Sequence, residues 1–114
     1  MAFVAALSYR KLNQPEQAER VLGQAAAAMV AGSWTERVWR FLQGKSSAAD
    51  LMRKAKSNQE QTAVHAYIGI LMSIAGDREA AAKHLRWVKD KGARNLVEYR
   101  LAVSDLEQLG SRQK

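Results

Sequence analysis

Apolar residues recur at intervals of three and four along most of the chain, which is the spacing of one face of an α-helix. The pattern begins with Phe3, Leu7 and Leu12, and it resumes after Pro15 with Ala18 and Leu22. No segment alternates apolar and polar residues over a useful length, so no strand is predicted. The sequence therefore predicts an all-α fold of seven helices whose short connections make neighbouring helices antiparallel.

Helix-breaking and helix-capping residues set the predicted bounds. Pro15 has no amide hydrogen, so it ends the first helix near Leu12 and suits the first turn of the second. Gly44 and Gly76 are residues typical of helix ends, and Asp77 is a typical N-cap. Gly110 is predicted to end the last helix, which leaves residues 111–114 as a loose tail after a single domain of residues 1–110. The predicted helices span about 2–12, 15–31, 35–43, 46–55, 57–75, 77–92 and 94–109.

Two stretches of the chain match each other. Ala18 and Ala81 lie 63 residues apart, close to two units of about 32 residues, and a third, shorter unit beginning at Gly44 falls between them. The matched positions of the repeat are Ala6, Ala18, Leu22, Gly44, Gly69, Gly76, Asp77, Ala81 and Leu85.

This pattern resembles the tetratricopeptide repeat (TPR), a unit of two antiparallel helices. The resemblance covers about residues 2–92. It depends on small residues where the two helices approach each other, a Gly-Asp turn, an alanine in the second helix and a large apolar residue four positions later. The chain departs from the family where His65 replaces an aromatic residue and where the middle unit is short. The resemblance implies a right-handed superhelix of about three helix pairs, closed by a C-terminal capping helix.

A second resemblance covers the order of several short motifs. They are Trp39-x-x-Leu42-x-Gly44-Lys45, Asp50-Leu51-Met52, Ala66-Tyr67-x-Gly69, Gly76-Asp77 and Val97-Glu98-Tyr99, and their order is similar to the TPR region of bacterial NlpI-type lipoproteins. Those proteins carry a lipid-modified cysteine, whereas this chain has no cysteine. A cytoplasmic location is favoured for the chain as given, and a periplasmic or membrane-anchored one if it is a fragment. No apolar run approaches the roughly 20 residues that cross a bilayer.

The positive charge is concentrated in the middle of the chain. The net charge is +7, and residues 34–57 contribute +4 of it from six basic and two acidic residues. Arg37 and Arg40 are three residues apart and share a helix face. A solvated face that keeps the chain soluble is the favoured interpretation of this region, and binding of an acidic or phosphorylated partner segment is the alternative.

The sequence contains no recognisable catalytic motif. It has no Gly-x-Ser-x-Gly and no Gly-rich phosphate loop, and the absence of cysteine excludes a thiol nucleophile and Cys-ligated metals within this chain. The only histidines, His65 and His84, are 19 residues apart on different helices, and a metal site normally takes three or four ligands. We therefore expect no enzyme activity, no cofactor and no metal.

The TPR resemblance implies a partner-binding groove lined by the first helices of the repeats. Its mixed apolar and basic character suits an amphipathic acidic peptide or a partner helix, so the expected function is a protein–protein interaction scaffold. The groove residues are Phe3, Leu7, Arg10, Lys11, Arg37, Arg40, Phe41, Ala66, Ile70 and Ser73.

Two alternative functions stay open at this point. A self-assembly module is one, because the open ends of a short repeat array favour either a missing upstream repeat or a homodimer that covers them. Nucleic-acid binding through the basic middle unit is the other; it is disfavoured because the aromatic residues are explained as core. Trp39, which is in phase with Leu42, is expected to be buried.

Overall fold

The computed structural model describes residues 2–112, which form seven α-helices and one short 3₁₀ helix, with no strand among them. The prediction of an all-α chain is confirmed. The helices are α1 (Ala2–Lys11), α2 (Pro15–Ala25), the 3₁₀ helix (Ala26–Ala28), α3 (Trp34–Leu42), α4 (Ala48–Lys54), α5 (Asn58–Ala75), α6 (Arg78–Lys91) and α7 (Val97–Arg112).

The chain groups into two compact units, Met1–Arg53 and Lys54–Lys114. In the first unit α1 packs along α2. In the second unit α5 packs against both α6 and α7, and α6 packs against α7. The single domain predicted over residues 1–110 stays a prediction.

The helices α1, α3 and α5 end in the same backbone motif. The residue that ends each one has a positive φ: 60° at Asn13, 77° at Gly44 and 91° at Gly76. Each of these residues donates its amide to the carbonyl three positions back, and the next residue donates to the carbonyl five positions back. This is the Schellman arrangement, which satisfies carbonyls that the helix end leaves open. The three motifs lie 31 and 32 residues apart, close to the period predicted from the sequence.

The second helices of the predicted pairs share a burial pattern. Gln14, Ser47 and Asp77 immediately precede α2, α4 and α6, and the fourth and eighth residues after each of them are buried. These buried residues are Ala18 and Leu22, Leu51 and Ala55, and Ala81 and Leu85. Burial at this spacing gives α2 and α6 one apolar stripe each, while in the middle pair Leu51 lies in α4 and Ala55 just after its last residue.

The α5–α6 contact depends on a glycine. A Cβ atom built on Gly69 would lie 2.7 Å from Leu85 Cδ2 and 3.3 Å from His84 Cβ. Leu85 is fully buried, so its side chain already fills the space that a larger residue at position 69 would need. The small residue predicted at this position is therefore what lets α6 approach α5 so closely.

Polar side chains join the helices of the second unit. The hydroxyl of Tyr67 in α5 donates to Glu98 Oε2 in α7 at 2.6 Å, and both residues are buried. Thr62, also buried, donates to the carbonyl of Asn58 at 2.7 Å and accepts from the Ala93 amide at 2.9 Å. Each of these groups has a partner, so their burial does not leave a polar atom unsatisfied.

Two predicted helix ends are wrong. α2 ends at Ala25, not near Ala31, because none of the following alanines is buried and the chain tightens into the exposed 3₁₀ helix. α7 continues through Gly110 to Arg112, and the burial of Leu109 anchors its last turns. Of the predicted loose tail, residues 111 and 112 belong to this helix and residues 113–114 lie outside the described residues.

Candidate interaction surface and histidine pair

α3 carries two half-buried aromatic side chains on one face together with arginines. Trp34 and Phe41 are half-buried, and with Arg37 they occupy positions i, i+3 and i+7, which lie on one side of a helix. Arg40, three positions after Arg37, extends this side. We call Trp34, Arg37, Arg40 and Phe41 the α3 surface.

The core-facing side of α3 is narrow. Val38 and Leu42 are its only buried residues. The backbone start of the helix is capped by Ser33, whose hydroxyl accepts from the Glu36 amide at 3.1 Å, while Glu36 Oε1 accepts from the Gly32 amide at 2.9 Å. The Ser-x-x-Glu spacing is the sequence signal for this cap, and sequence reasoning missed it.

The arginines of the α3 surface are weakly paired. The Arg40 side chain is 55% exposed and its Nε lies 3.9 Å from Glu36 Oε1, which is also engaged by the backbone. Arg37 is half-buried and forms no ion pair within residues 2–112. An exposed pair at this distance contributes little, so both guanidinium groups can still engage an acidic partner.

Trp39 lies on the opposite flank of α3 and has a structural role. Its indole Nε1–H donates to the Leu22 carbonyl at 2.9 Å, and the Lys45 ammonium lies 5.2 Å from the ring centroid. The expectation that Trp39 is buried is wrong, because the ring is half-buried between that hydrogen bond and a cation.

Two predicted groove residues of the first unit are engaged within the fold. Leu7 is fully buried and cannot contact a partner. Arg10 Nη2 donates to the Leu42 carbonyl at 2.6 Å and lies 3.6 Å from Glu19 Oε1, with 21% of the side chain exposed. Arg10 thus satisfies the carbonyl end of α3, which corrects its assignment to partner binding. Phe3 is half-buried and Lys11 is exposed.

The predicted groove residues of the second unit are mostly interior. Ala66 and Ile70 are fully buried, because α5 packs against two helices and has apolar residues around most of its circumference. Their assignment to a binding surface is therefore wrong. Ser73 is half-buried.

The shared Schellman motifs correct the register of the middle repeat. Counting six residues back from Asn13, Gly44 and Gly76 gives Leu7, Val38 and Ile70, all of them buried. Counting three back gives Arg10, Phe41 and Ser73, so Phe41 is in register with the predicted groove. Arg37 and Arg40, the other two groove residues predicted in the middle repeat, each lie one residue before the matching repeat positions, Val38 and Phe41.

Sequence reasoning missed a histidine pair between α5 and α6. The Nδ1 atoms of His65 and His84 are 3.0 Å apart, and the two ring centroids are 5.2 Å apart at an interplanar angle of 40°. Trp87 stacks on His65 with centroids 4.1 Å apart and an angle of 20°. The signal that points to this contact is Gly69, one turn after His65, which brings α6 close at His84 and Leu85.

The surroundings of the pair favour neutral imidazoles. Burial lowers the pKa of His65 to about 4, and a charge on His84 acts in the same direction. Burial also lowers the pKa of His84, with a further contribution from the charge of Lys83. At neutral pH both rings are uncharged, so one Nδ1 donates a hydrogen and the other accepts it.

Residues 2–112 offer few other features of chemical interest. They contain no group of three or more His, Cys, Asp or Glu side chains placed to hold a metal ion. An open depression of about 440 Å³, lined by residues 13–17 and Arg20, contains only exposed residues. Within the described part of the chain, none of the helices has the length and apolar character that crossing a bilayer requires.

Comparison with protein-family models, with curated proteins and with solved structures finds no match to this chain.

Proposed function

We propose that this chain is a non-catalytic, TPR-like repeat scaffold that binds an acidic, amphipathic segment of a partner protein on the α3 surface. The observation that carries the proposal is the composition of that surface. Trp34 and Phe41 keep part of their rings accessible beside the weakly paired Arg37 and Arg40. Aromatic and arginine side chains are the residues most enriched at the centres of protein interfaces.

The repeated architecture supports a scaffold. Three helices end in the same Schellman motif at nearly equal spacing, and the fourth and eighth residues counted from the start of each following helix are buried. Helical repeats of this kind present extended surfaces formed by successive first helices. α3 is the first helix of the middle pair, so its exposed side is where such a scaffold binds.

Charge complementarity defines the partner. Residues 34–57 contribute +4 of the net charge of +7, so a segment rich in Asp and Glu is attracted to this part of the chain. Apolar residues in that segment would pack on Trp34 and Phe41. The narrower surface replaces the groove expected from the sequence, since Leu7, Ala66 and Ile70 are buried and Arg10 is bonded to α3.

The test is a titration of the full chain with two synthetic peptides. In the first, Glu and Asp alternate with Leu and Phe; in the second, Gln and Asn replace the acids. We expect the acidic peptide to bind more tightly, with an affinity that falls as salt is added. Reversing two charges in the variant Arg37→Glu/Arg40→Glu should weaken it by about tenfold or more, since close like charges replace attraction.

The matched control is Arg86→Glu/Lys89→Glu, which makes the same change in net charge on exposed, three-apart positions of α6. It should leave the affinity within about twofold, because neither residue belongs to the α3 surface. Equal losses in both double variants would show attraction by net charge only and would overturn the assignment to α3. Unchanged binding in the Arg37/Arg40 variant, or equal binding of the two peptides, would overturn it as well.

A further inference from the structure

We propose that His65 and His84 form a two-imidazole binding site for a divalent transition-metal ion, with Cu²⁺ the preferred ion and the Nδ1 atoms as ligands. This site lies in the second unit and is independent of the α3 surface. It rests on the only two histidines of the chain, which the fold brings into contact from α5 and α6.

The spacing of the two nitrogens suits a shared metal ion. With metal–nitrogen bonds of 2.0–2.1 Å, two ligands of a tetrahedral ion are about 3.3 Å apart and two adjacent ligands of a square-planar ion are about 2.9 Å apart. The observed Nδ1–Nδ1 distance of 3.0 Å falls between these values.

The surroundings hold the ligands in place. Trp87 stacks on His65 and restricts the rotation of its ring. The Gly69 contact fixes the distance between the helices, since Leu85 and the β-carbon of His84 pack directly against that glycine. Two ligands on rigid helices act together, because binding to the first makes binding to the second intramolecular.

The number of ligands selects the ion. Two imidazoles leave the remaining coordination positions to water or to a donor from another molecule, so a strong intrinsic affinity for nitrogen is required. Among divalent first-row ions Cu²⁺ has the highest such affinity, and it accepts adjacent nitrogen ligands in a square-planar arrangement. We expect Cu²⁺ to bind more tightly than Ni²⁺ or Zn²⁺.

The test uses the full chain and metal salts alone. Titration with Cu²⁺ should show one ion bound per chain, and its electron paramagnetic resonance spectrum should show coupling to two imidazole nitrogens. In ¹⁵N NMR of the two histidines, Zn²⁺ should shift Nδ1 of both rings. His65→Gln and His84→Gln should each weaken Cu²⁺ binding by about 100-fold, since each removes the benefit of a second tethered ligand.

The double variant His65→Gln/His84→Gln measures the background binding of Cu²⁺ to the chain terminus and to carboxylates. Wild-type affinity in that variant would overturn the site. The site would also be overturned if addition of Zn²⁺ or Cu²⁺ left the imidazole signals of the wild-type chain unchanged, since the contact between the two rings would then be a hydrogen bond only. The NMR measurement requires no substitution, so loss of folding in a variant cannot obscure the result.

Discussion

Gly23 and Gly69 both lie within helices, and the same substitution should have opposite effects on them. Gly69 in α5 faces α6, and a Cβ there would lie 2.7 Å from Leu85 Cδ2 and 2.8 Å from Leu85 Cγ. Gly23 in α2 is exposed, and nothing lies within 4 Å of a Cβ at that position. We predict that Gly69→Ala lowers the free energy of unfolding and that Gly23→Ala raises it.

The magnitudes follow from two opposing effects. Alanine in place of glycine inside a helix stabilises it by roughly 0.5–1 kcal/mol. At Gly69 this gain is opposed by overpacking, which costs about 1–3 kcal/mol when the neighbour cannot move away. Leu85 is fully buried and both of its contacting atoms are closer than real Cβ contacts allow. The net loss for Gly69→Ala is therefore at most about 2.5 kcal/mol, against a gain of about 0.5–1 kcal/mol for Gly23→Ala.

Urea unfolding followed by circular dichroism measures both changes, and hydrogen exchange of α2 and α5 assigns each change to its helix. A double-mutant cycle with Leu85→Ala tests the cause. Truncating Leu85 alone costs about 2–5 kcal/mol, and adding Gly69→Ala to it should cost nothing further, because the methyl group then has space. A stabilising Gly69→Ala, or a double variant whose loss equals the sum of the two single losses, would refute the close contact between α5 and α6.

Three further predictions concern single polar groups. Tyr67→Phe should lower the free energy of unfolding by about 1–3 kcal/mol, because it leaves the buried Glu98 carboxylate without this hydrogen bond; a loss below 0.5 kcal/mol in urea unfolding would contradict the contact. Arg10→Met should lower the free energy of unfolding by about 1–3 kcal/mol, because the hydrogen bond to the Leu42 carbonyl is lost, and it should leave the affinity for the peptide unchanged. If Arg10 bound the partner instead, the variant would bind the peptide more weakly. For His65 the folded pKa of about 4 lies below the unfolded value of 6.5, so its contribution to stability is present above pH 6.5 and is lost as the pH falls toward 4. After allowance for solvent screening, this loss of stability amounts to about 1–2 kcal/mol. The free energy of unfolding should therefore fall less between pH 7 and pH 5 in a His65→Gln variant than in the wild type.

Local signals in the sequence were enough to predict most helix ends. The N-cap of α6 is predicted at Asp77, and the Asp77 side chain accepts the Ala80 amide in the structure. Gly44 and Gly76 take the left-handed conformation expected of helix ends. Asn13 does the same, because asparagine tolerates positive φ better than most residues.

The candidate site required distances that a sequence pattern does not contain. Periodicity shows that Leu7 and Ile70 are apolar and helical, but it does not show on which side of the helix a neighbour packs; both proved to be core. Arg10 is basic by composition, yet its bond to the Leu42 carbonyl depends on where α3 ends. The contact of His65 with His84 on α6 depends on how closely α6 approaches Gly69, and this distance cannot be read from the sequence.

The most direct test of partner binding on α3 uses the three indole N–H signals in the NMR spectrum of the full chain. Trp34 belongs to the α3 surface, Trp39 lies on the opposite flank with its indole N–H bonded to Leu22, and Trp87 stacks on His65 in the other unit. On addition of the acidic amphipathic peptide we predict a saturable shift of the Trp34 signal, a smaller change at Trp39 and none at Trp87. A shift confined to Trp87, or no shift at Trp34 when the peptide is in excess, would contradict the proposed function.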